Sequence, residues 1–464
     1  MSNINNSTLN IQNTWDFIDQ VDYTNNPTPG LSKALVETIS KTNKEPNWML
    51  ELRLKALDIF YEKKMPSYWP DLSKLDLDSI YYYAKPAGLK NTTSWDEVPE
   101  NIKNTFDKLW IPEAEKHALA GVWAQYDSDA VYHSLEKELS EQWVIFEDMT
   151  HALQNPKYEK IIKEYFSKSI PVSDHKFSAL HYAVWNWWTF LYVPEWVKIT
   201  KPLQSYFRMN LREWWQFEHT IIILEKDAEA HYIEGCSAQK KKKNSLHAGW
   251  VEIFVWVNAQ ARYSSVENWS LDTYNLNTKR AILQENAHID WVSGNMWSNT
   301  TMLYPCSILL WDKSSCDHLW VSFANTSQNQ DIGSKVIHIG KNTSSNIVSK
   351  TLSKWWWIST YRWLVKIGKN ATWSISKVDC DGLMLDNDSV SNAIPDIIVE
   401  NTTSIVAHEA SAWKINQKDL FYLMSRWISE EQATSIIVNG FISPILKELP
   451  LEYASEMNVL VSME

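Results

Sequence analysis

Three residues toward the C-terminal end carry side chains suited to chemistry: Cys380, His408 and Glu409. Cys380 lies in an alternating run, SKVDCDGLML, in which Val378, Cys380 and Gly382 interleave with Lys377, Asp379 and Asp381, the period of a strand. His408 and Glu409 end a second β-like run, IIVENTTSIVAHEA, just before the pattern turns helical at Asn416. A soft thiolate, an imidazole and a carboxylate in proximity can bind iron, or can serve as nucleophile, base and orienter. Spacing alone does not choose. Adjacent strand residues face opposite ways, so His408 and Glu409 reach one centre only if the chain bends there.

The elements that must position these residues fall into three parts, expected at 1–143, 144–412 and 413–464. The first reads as mainly helical. LSKALVETISKT places Leu31, Leu35 and Ile39 on an i, i+4 stripe, EPNWMLELRLKALDIFYEK opens on a proline at a helix start, and IPEAEKHALAG reads as a short helix. From about Val144 to Ala412 short alternating or apolar runs recur at intervals of about 8–12 residues, such as HTIIILEKDAEAHYIEG, SKVIHIG and RWLVKIG. Their number and the Asn-Thr-Ser/Thr punctuation favour a β-solenoid over a sandwich or barrel. The end is helical again, with Ser429 and Gln432 spaced as a capping box.

With 464 residues and a formal net charge of −12, the chain has length for a large core and is a poor partner for nucleic acid. The basic run Lys240–Lys243 reads as a solvated loop. A polar N-terminus and the lack of a long apolar run lead us to expect no membrane contact and a cytoplasmic location. Cys236, Cys306, Cys316 and Cys380 form no CxxC pair, which argues against a disulfide framework or structural zinc. Composition holds one anomaly: 27 Trp against 11 Gly, where glycine ordinarily supplies about 7% of residues. Several tryptophans stand in turn and helix-end contexts that suit glycine, as in Trp355-Trp356-Trp357 and at Trp427. The reading that follows is that much of this tryptophan is glycine in the living protein, encoded by UGA in a lineage that reads that codon as glycine.

Over nearly its whole length the chain resembles the SufB-type scaffolds of the SufB/SufD family, which assemble iron–sulfur clusters in the SUF system. The segments that carry the resemblance include EPNWMLELRLKAL, GVWAQYDSDAVYH, YFRMN, HYIEGCSA, NSLHAGWVEIFV, TYNLNTKRA, STYRWLVKIGKNA, CDGLMLD, AHEASAWKI and QKDLFYLMSRWISEEQA. The family pattern has glycine at Trp110, Trp123, Trp143, Trp187, Trp188, Trp196, Trp215, Trp297, Trp355, Trp356, Trp357, Trp363 and Trp427, whereas Trp48, Trp185, Trp269 and Trp291 match family tryptophans.

The resemblance implies a right-handed parallel β-helix between helical ends, the last of which docks a SufC-type ATPase. It implies pairing with a SufD-type paralogue or a second SufB copy, a SufE- or SufU-type sulfur donor with its cysteine desulfurase, and delivery to apo iron–sulfur proteins. The cargo would be a transient cluster, 4Fe–4S by expectation, with room for a reduced flavin in the complex. By motif, Cys380, His408 and Glu409 correspond to the assembly site and its metal ligands, and Cys236 to the persulfide sulfur acceptor. Arg208, Asn210, Glu267, Trp269 and Lys279 match positions that line a sulfur route through the β-helix. Three departures stand out: Ala407 replaces an acidic residue, Glu267 replaces a glutamine, and Gln239 with the lysine run replaces a Pro-x-Tyr.

The leading expectation is therefore a non-enzymatic scaffold, with ATP hydrolysed by its partner. Trp363–Asn370 is the nearest approach to a phosphate loop, and it lacks the Ser or Thr hydroxyl and reads as strand. The alternatives are a thiol enzyme using Cys380, His408 and Glu409, and a polysaccharide-cleaving β-helix, which the expected compartment disfavours.

Overall fold

The computed structural model describes residues 29–67, 70–83, 98, 119–126, 129–209, 215–238, 245–296, 298–324, 328–354 and 357–448. Within Ile375–Met384, Ser376, Val378 and Cys380 are buried while Ile375 and Lys377 are exposed, so one face of the strand turns to a core and the other to water. Ser344–Ser353 lies beside this strand in parallel, residue for residue, and Ile405–Lys414 continues the stack on the other side. The pattern repeats through a ten-stranded and a twelve-stranded sheet, which enclose a shared lumen as a β-solenoid of about seven turns. Trp363–Asn370 is indeed strand for most of its length, within Ile358–Ile367.

One turn signature recurs along the solenoid. Trp196, Asp227, Asn258, Asn286, Lys313, Asn342 and Trp373 all have positive φ, one every 27 to 31 residues. Each is followed by a buried side chain, mostly small: Val197, Ala228, Ala259, Ala287, Ser314, Thr343 and Ser374. Each left-handed residue donates its N–H to the next coil, as Asp227 does to the Val257 carbonyl at 2.9 Å. Side chains stack as well: Asn286 Nδ2 donates to Asn258 Oδ1 at 3.0 Å, and Asn258 Nδ2 to Asp227 Oδ1 at 2.9 Å. Asn and Asp suit this conformation; tryptophan does not.

Four tryptophans nonetheless occupy it: Trp143, Trp196, Trp373 and Trp427, with φ of 61 to 67°. Their rings are 65 to 99% exposed, so packing offers little in return. This favours glycine at these positions, including Trp373, which sequence comparison with the family pattern did not single out. Trp373→Gly is expected to stabilise the fold by about 1 kcal/mol, the left-handed penalty less the added freedom of the unfolded chain. Urea denaturation measures this, and a destabilised variant would show that the ring contributes more than its exposure suggests.

Helices cover the outer face of the twelve-stranded sheet. Lys33–Thr42, capped by Ser32, and Asn47–Glu62 form where the i, i+4 stripes lie. Pro156–Tyr165 and Lys176–Val184 interrupt a stretch whose composition reads as β from residue 144. Arg53 ties this layer together: it pairs with Glu45 at 2.6 Å and donates to the carbonyls of Ala183 and Trp185, all out of water. At the far end Gln417–Met424 and Glu430–Leu446 follow the solenoid, with Ser429 and Gln432 forming the expected capping box. The helix expected over IPEAEKHALAG lies almost wholly outside the described residues. Among the described residues no helix is long and apolar enough to cross a membrane.

Candidate functional site

Register places the candidate residues. In the ten-stranded sheet Cys380 stands beside Ser349 on one side and Ala410 on the other, while Val378 stands beside His408. Val378 and Cys380 are both buried, so His408 shares their lumen-facing side, one strand over and two residues along. Glu409 pairs with Asp379 on the opposite face. The Ile405–Lys414 strand runs unbroken through this pair, so the bend that would bring His408 and Glu409 to one centre is not made. Cys380 and His408 share one face of the sheet on neighbouring strands, Cys380 buried and His408 exposed; Glu409 faces away, toward the side of Lys377. A nucleophile–base–orienter triad is not formed.

Cys380 is 4% exposed and lines a cavity of about 100 Å³ with Ser349, Thr351, Tyr361, Gly382, Ser391 and Ala410. Burial pushes its thiol up to about 11, opposed by the neighbouring Ser349 hydroxyl. At neutral pH it is a thiol, which an incoming metal must deprotonate. The Trp363 ring lies 4.7 Å from the His408 ring. Were residue 363 glycine, as the family pattern has it, the lumen beside Cys380 would be wider.

The second cysteine lies deeper. Cys236 is 2% exposed, packs with Phe207 and Trp269, and has Glu234 Oε1 4.0 Å from its sulfur. Lys279 Nζ sits 3.1 Å from both Glu234 and Glu267, and Tyr263 donates its hydroxyl to Glu234 at 2.5 Å. Asn277 donates to both Glu267 oxygens and Asn275 to one. Burial, with Glu218, Glu234 and Glu267 adding to it, pushes the Cys236 thiol well up, and Lys279 only partly offsets them. A nearby lysine favours a thiolate, but the charge of Lys279 is taken by two carboxylates. Trp269 packs against His247 with the rings tilted at 31° and their centres 4.1 Å apart. Arg208 lies in the Leu203–Met209 strand, in register with Ser237. Asn210 lies outside the described residues.

The two cysteines face one lumen. From Cys236 the register runs through Glu267, Asn295, Ser322 and Thr351 to Gly382, two residues from Cys380. Five strand steps separate the cysteines, about 24 Å at the usual interstrand spacing. Rungs cross the lumen between the sheets: Asn295 to Gln330 at 2.8 Å, Ser322 to Ser359 at 3.1 Å, Thr351 to Ser391 at 3.1 Å. These polar rungs went unread in the sequence, where small polar residues in strands look like ordinary outward positions. Donor atoms of three potential ligands come within 4.8 Å of one another in two places among the described residues, Glu218/Cys236/His247 and, near the surface, His288/Asp290/Asp317.

Residues 207–441 match the SUF system FeS cluster assembly SufBD core domain. An iron-sulfur cluster assembly SufBD family protein of Staphylococcus epidermidis is 49% identical over 435 residues, 94% of this chain and 93% of that protein. Proteins of the same description from Staphylococcus haemolyticus and Staphylococcus aureus are also 49% identical over 435 residues, with the same coverage. The chain belongs to the SufBD family of iron–sulfur cluster assembly proteins of the SUF system.

Proposed function

We propose that the chain is a scaffold of the SufB type, which accepts persulfide sulfur at Cys236 and builds a nascent cluster at Cys380 and His408 for transfer to apo-proteins. The observation that carries this reading is the lumen-facing Cys380–His408 pair in the last coils of the solenoid, joined to Cys236 by a polar register. One thiolate and one imidazole hold iron far more loosely than four cysteines, as a site that gives up its cargo requires. Glu409, on the outer face of its strand, acts as a ligand only from a partner's side or after local rearrangement.

The last coil supports pairing with a second solenoid, of the SufD type or another copy. Val390–Val399 and Ile405–Lys414 end their sheets, each with one edge unpaired among the described residues, and are exposed along most of their length. Long exposed edges are templates for a further strand. Phe421, Tyr422 and Met424 leave an apolar face on the terminal helical segment, which suits the ATPase partner. A sulfur donor with its desulfurase would feed Cys236, and a reduced flavin would serve the complex.

Anaerobic reconstitution of the purified full-length chain with ferrous iron and sulfide is the test. A scaffold acquires sulfide-to-iron absorbance and passes it to an apo-ferredoxin, and alone it does not hydrolyse ATP. Protein that stays colourless, or that cleaves ATP by itself, overturns the reading.

A further inference from the structure

The lumen around Cys236 is built for a cation. Glu218, Glu234 and Glu267 converge there with Lys279 as their fixed positive partner, and all four are at most 3% exposed. Lys279 engages Glu234 and Glu267, leaving Glu218 to His247, whose Nε2 lies 3.1 Å from Glu218 Oε2. The other Glu218 oxygen is buried with no hydrogen-bond partner among the described residues.

The tautomer of His247 follows from its neighbours. Asn275 Nδ2 donates to Glu267, so Asn275 Oδ1 is the acceptor facing His247 Nδ1 at 2.8 Å. Nδ1 therefore carries hydrogen, and Nε2 points its lone pair at a carboxylate unless one further proton sits between them. That proton occupies the place of an ion. The orientation is also the one in which metal-ligating histidines are held, with Nδ1–H given to an oxygen and Nε2 presented to the metal.

We propose that Glu218, Cys236 and His247 form a three-donor site for a single ferrous ion inside the solenoid. Three atoms no more than 4.8 Å apart share a centre within about 2.8 Å of each, and small side-chain rotations bring them to bonding distance. Carboxylate, thiolate and imidazole suit a borderline divalent ion, and three protein donors leave a fourth position open. The exchange balances: one Fe²⁺ enters, the Cys236 S–H proton and the His247–Glu218 proton leave to water, and the charge of the cluster is unchanged. An anion gains no such balance beside three carboxylates. Binding also turns Cys236 into the thiolate that its surroundings otherwise oppose. The choice of iron rests on the scaffold reading; the site itself does not.

The test uses full-length, reduced, metal-free chain under anaerobic conditions, titrated with Fe²⁺ and with Co²⁺ as its coloured counterpart. We expect one ion per chain, two protons released per ion, and a thiolate-to-cobalt absorption band. Cys236→Ser should lose the band while Cys380→Ala keeps it. Asn275→Ala, which frees the His247 ring, should weaken binding about 10- to 100-fold. A band that survives Cys236→Ser, or native protein that binds no ion or releases no protons, overturns the site. Binding of Zn²⁺ but not Fe²⁺ overturns the iron assignment. Failure of cluster reconstitution with the cobalt band intact would instead remove the scaffold reading and leave the site standing.

Discussion

Cys380→Ala is expected to reduce cluster formation in anaerobic reconstitution to the level of protein-free controls, with the fold intact. The substitution removes one sulfur from a strand whose neighbours, Ser349 and Ala410, are small, and a loss of about 1 kcal/mol is ordinary for such a change. What is lost instead is the one thiol on the lumen side of the last two coils. His408→Ala should lower yield without abolishing it, because the thiolate remains. Glu409→Ala should change yield in the isolated chain least, since its carboxylate is on the other face. The pH dependence carries a sign. With the thiol pushed up to about 11, the fraction already ionised rises throughout the neutral range, so reconstitution should accelerate from pH 6 to 9 without a plateau. Normal cluster assembly by Cys380→Ala, or a rate that levels off near pH 7, would move the assembly site elsewhere.

The parts of this molecule that sequence reveals are those fixed by local alternation. Cys380 is legible as an inward strand residue because Val378 and Gly382 share its parity, and the opposed facing of His408 and Glu409 follows from adjacency alone. The solenoid was legible as a run of short strands, but its period was not. Coils of unequal length blur any fixed repeat, and the true marker is a left-handed residue followed by a buried, mostly small one. Asp227-Ala228, Asn258-Ala259 and Asn286-Ala287 display it openly, while Lys313-Ser314 and Trp373-Ser374 hide it behind side chains that rarely take that conformation. Helices at Pro156–Tyr165 and Lys176–Val184 escaped because their short apolar runs resemble the strands around them. The grouping of Glu218, Cys236 and His247 lay beyond local reasoning altogether. These residues come from both sheets and meet only because successive coils stack across the lumen.

Lys279→Met is expected to destabilise the fold by about 3–5 kcal/mol, the usual consequence of removing one partner from a buried ionic group. Burial works against a charged Lys279, yet Glu234 and Glu267 overcome it and hold the ammonium above the ordinary lysine range. The reverse also holds: burial would push Glu267 up, and Lys279 with His247 keeps it below its usual value. Methionine fills the space but leaves two carboxylates facing each other out of water, and each must then take a proton or draw water into the lumen. A double variant tests the cause. Lys279→Met with Glu267→Gln removes one charge along with its partner and should recover a large part of the loss, whereas a purely steric defect would persist. The sign with pH separates the two as well. In the single variant the folded-state carboxyls are raised above their unfolded values, so stability should improve as pH falls from 7 toward 5, a range in which the depressed Glu267 of the native chain stays ionised in both states and contributes no slope. Urea denaturation across that range reads both slopes. A loss under about 1 kcal/mol with no gain in stability toward pH 5 would mean that the lumen is hydrated rather than dry. The carboxylates would then be screened by water, and the neighbouring cation site would draw less on their charge.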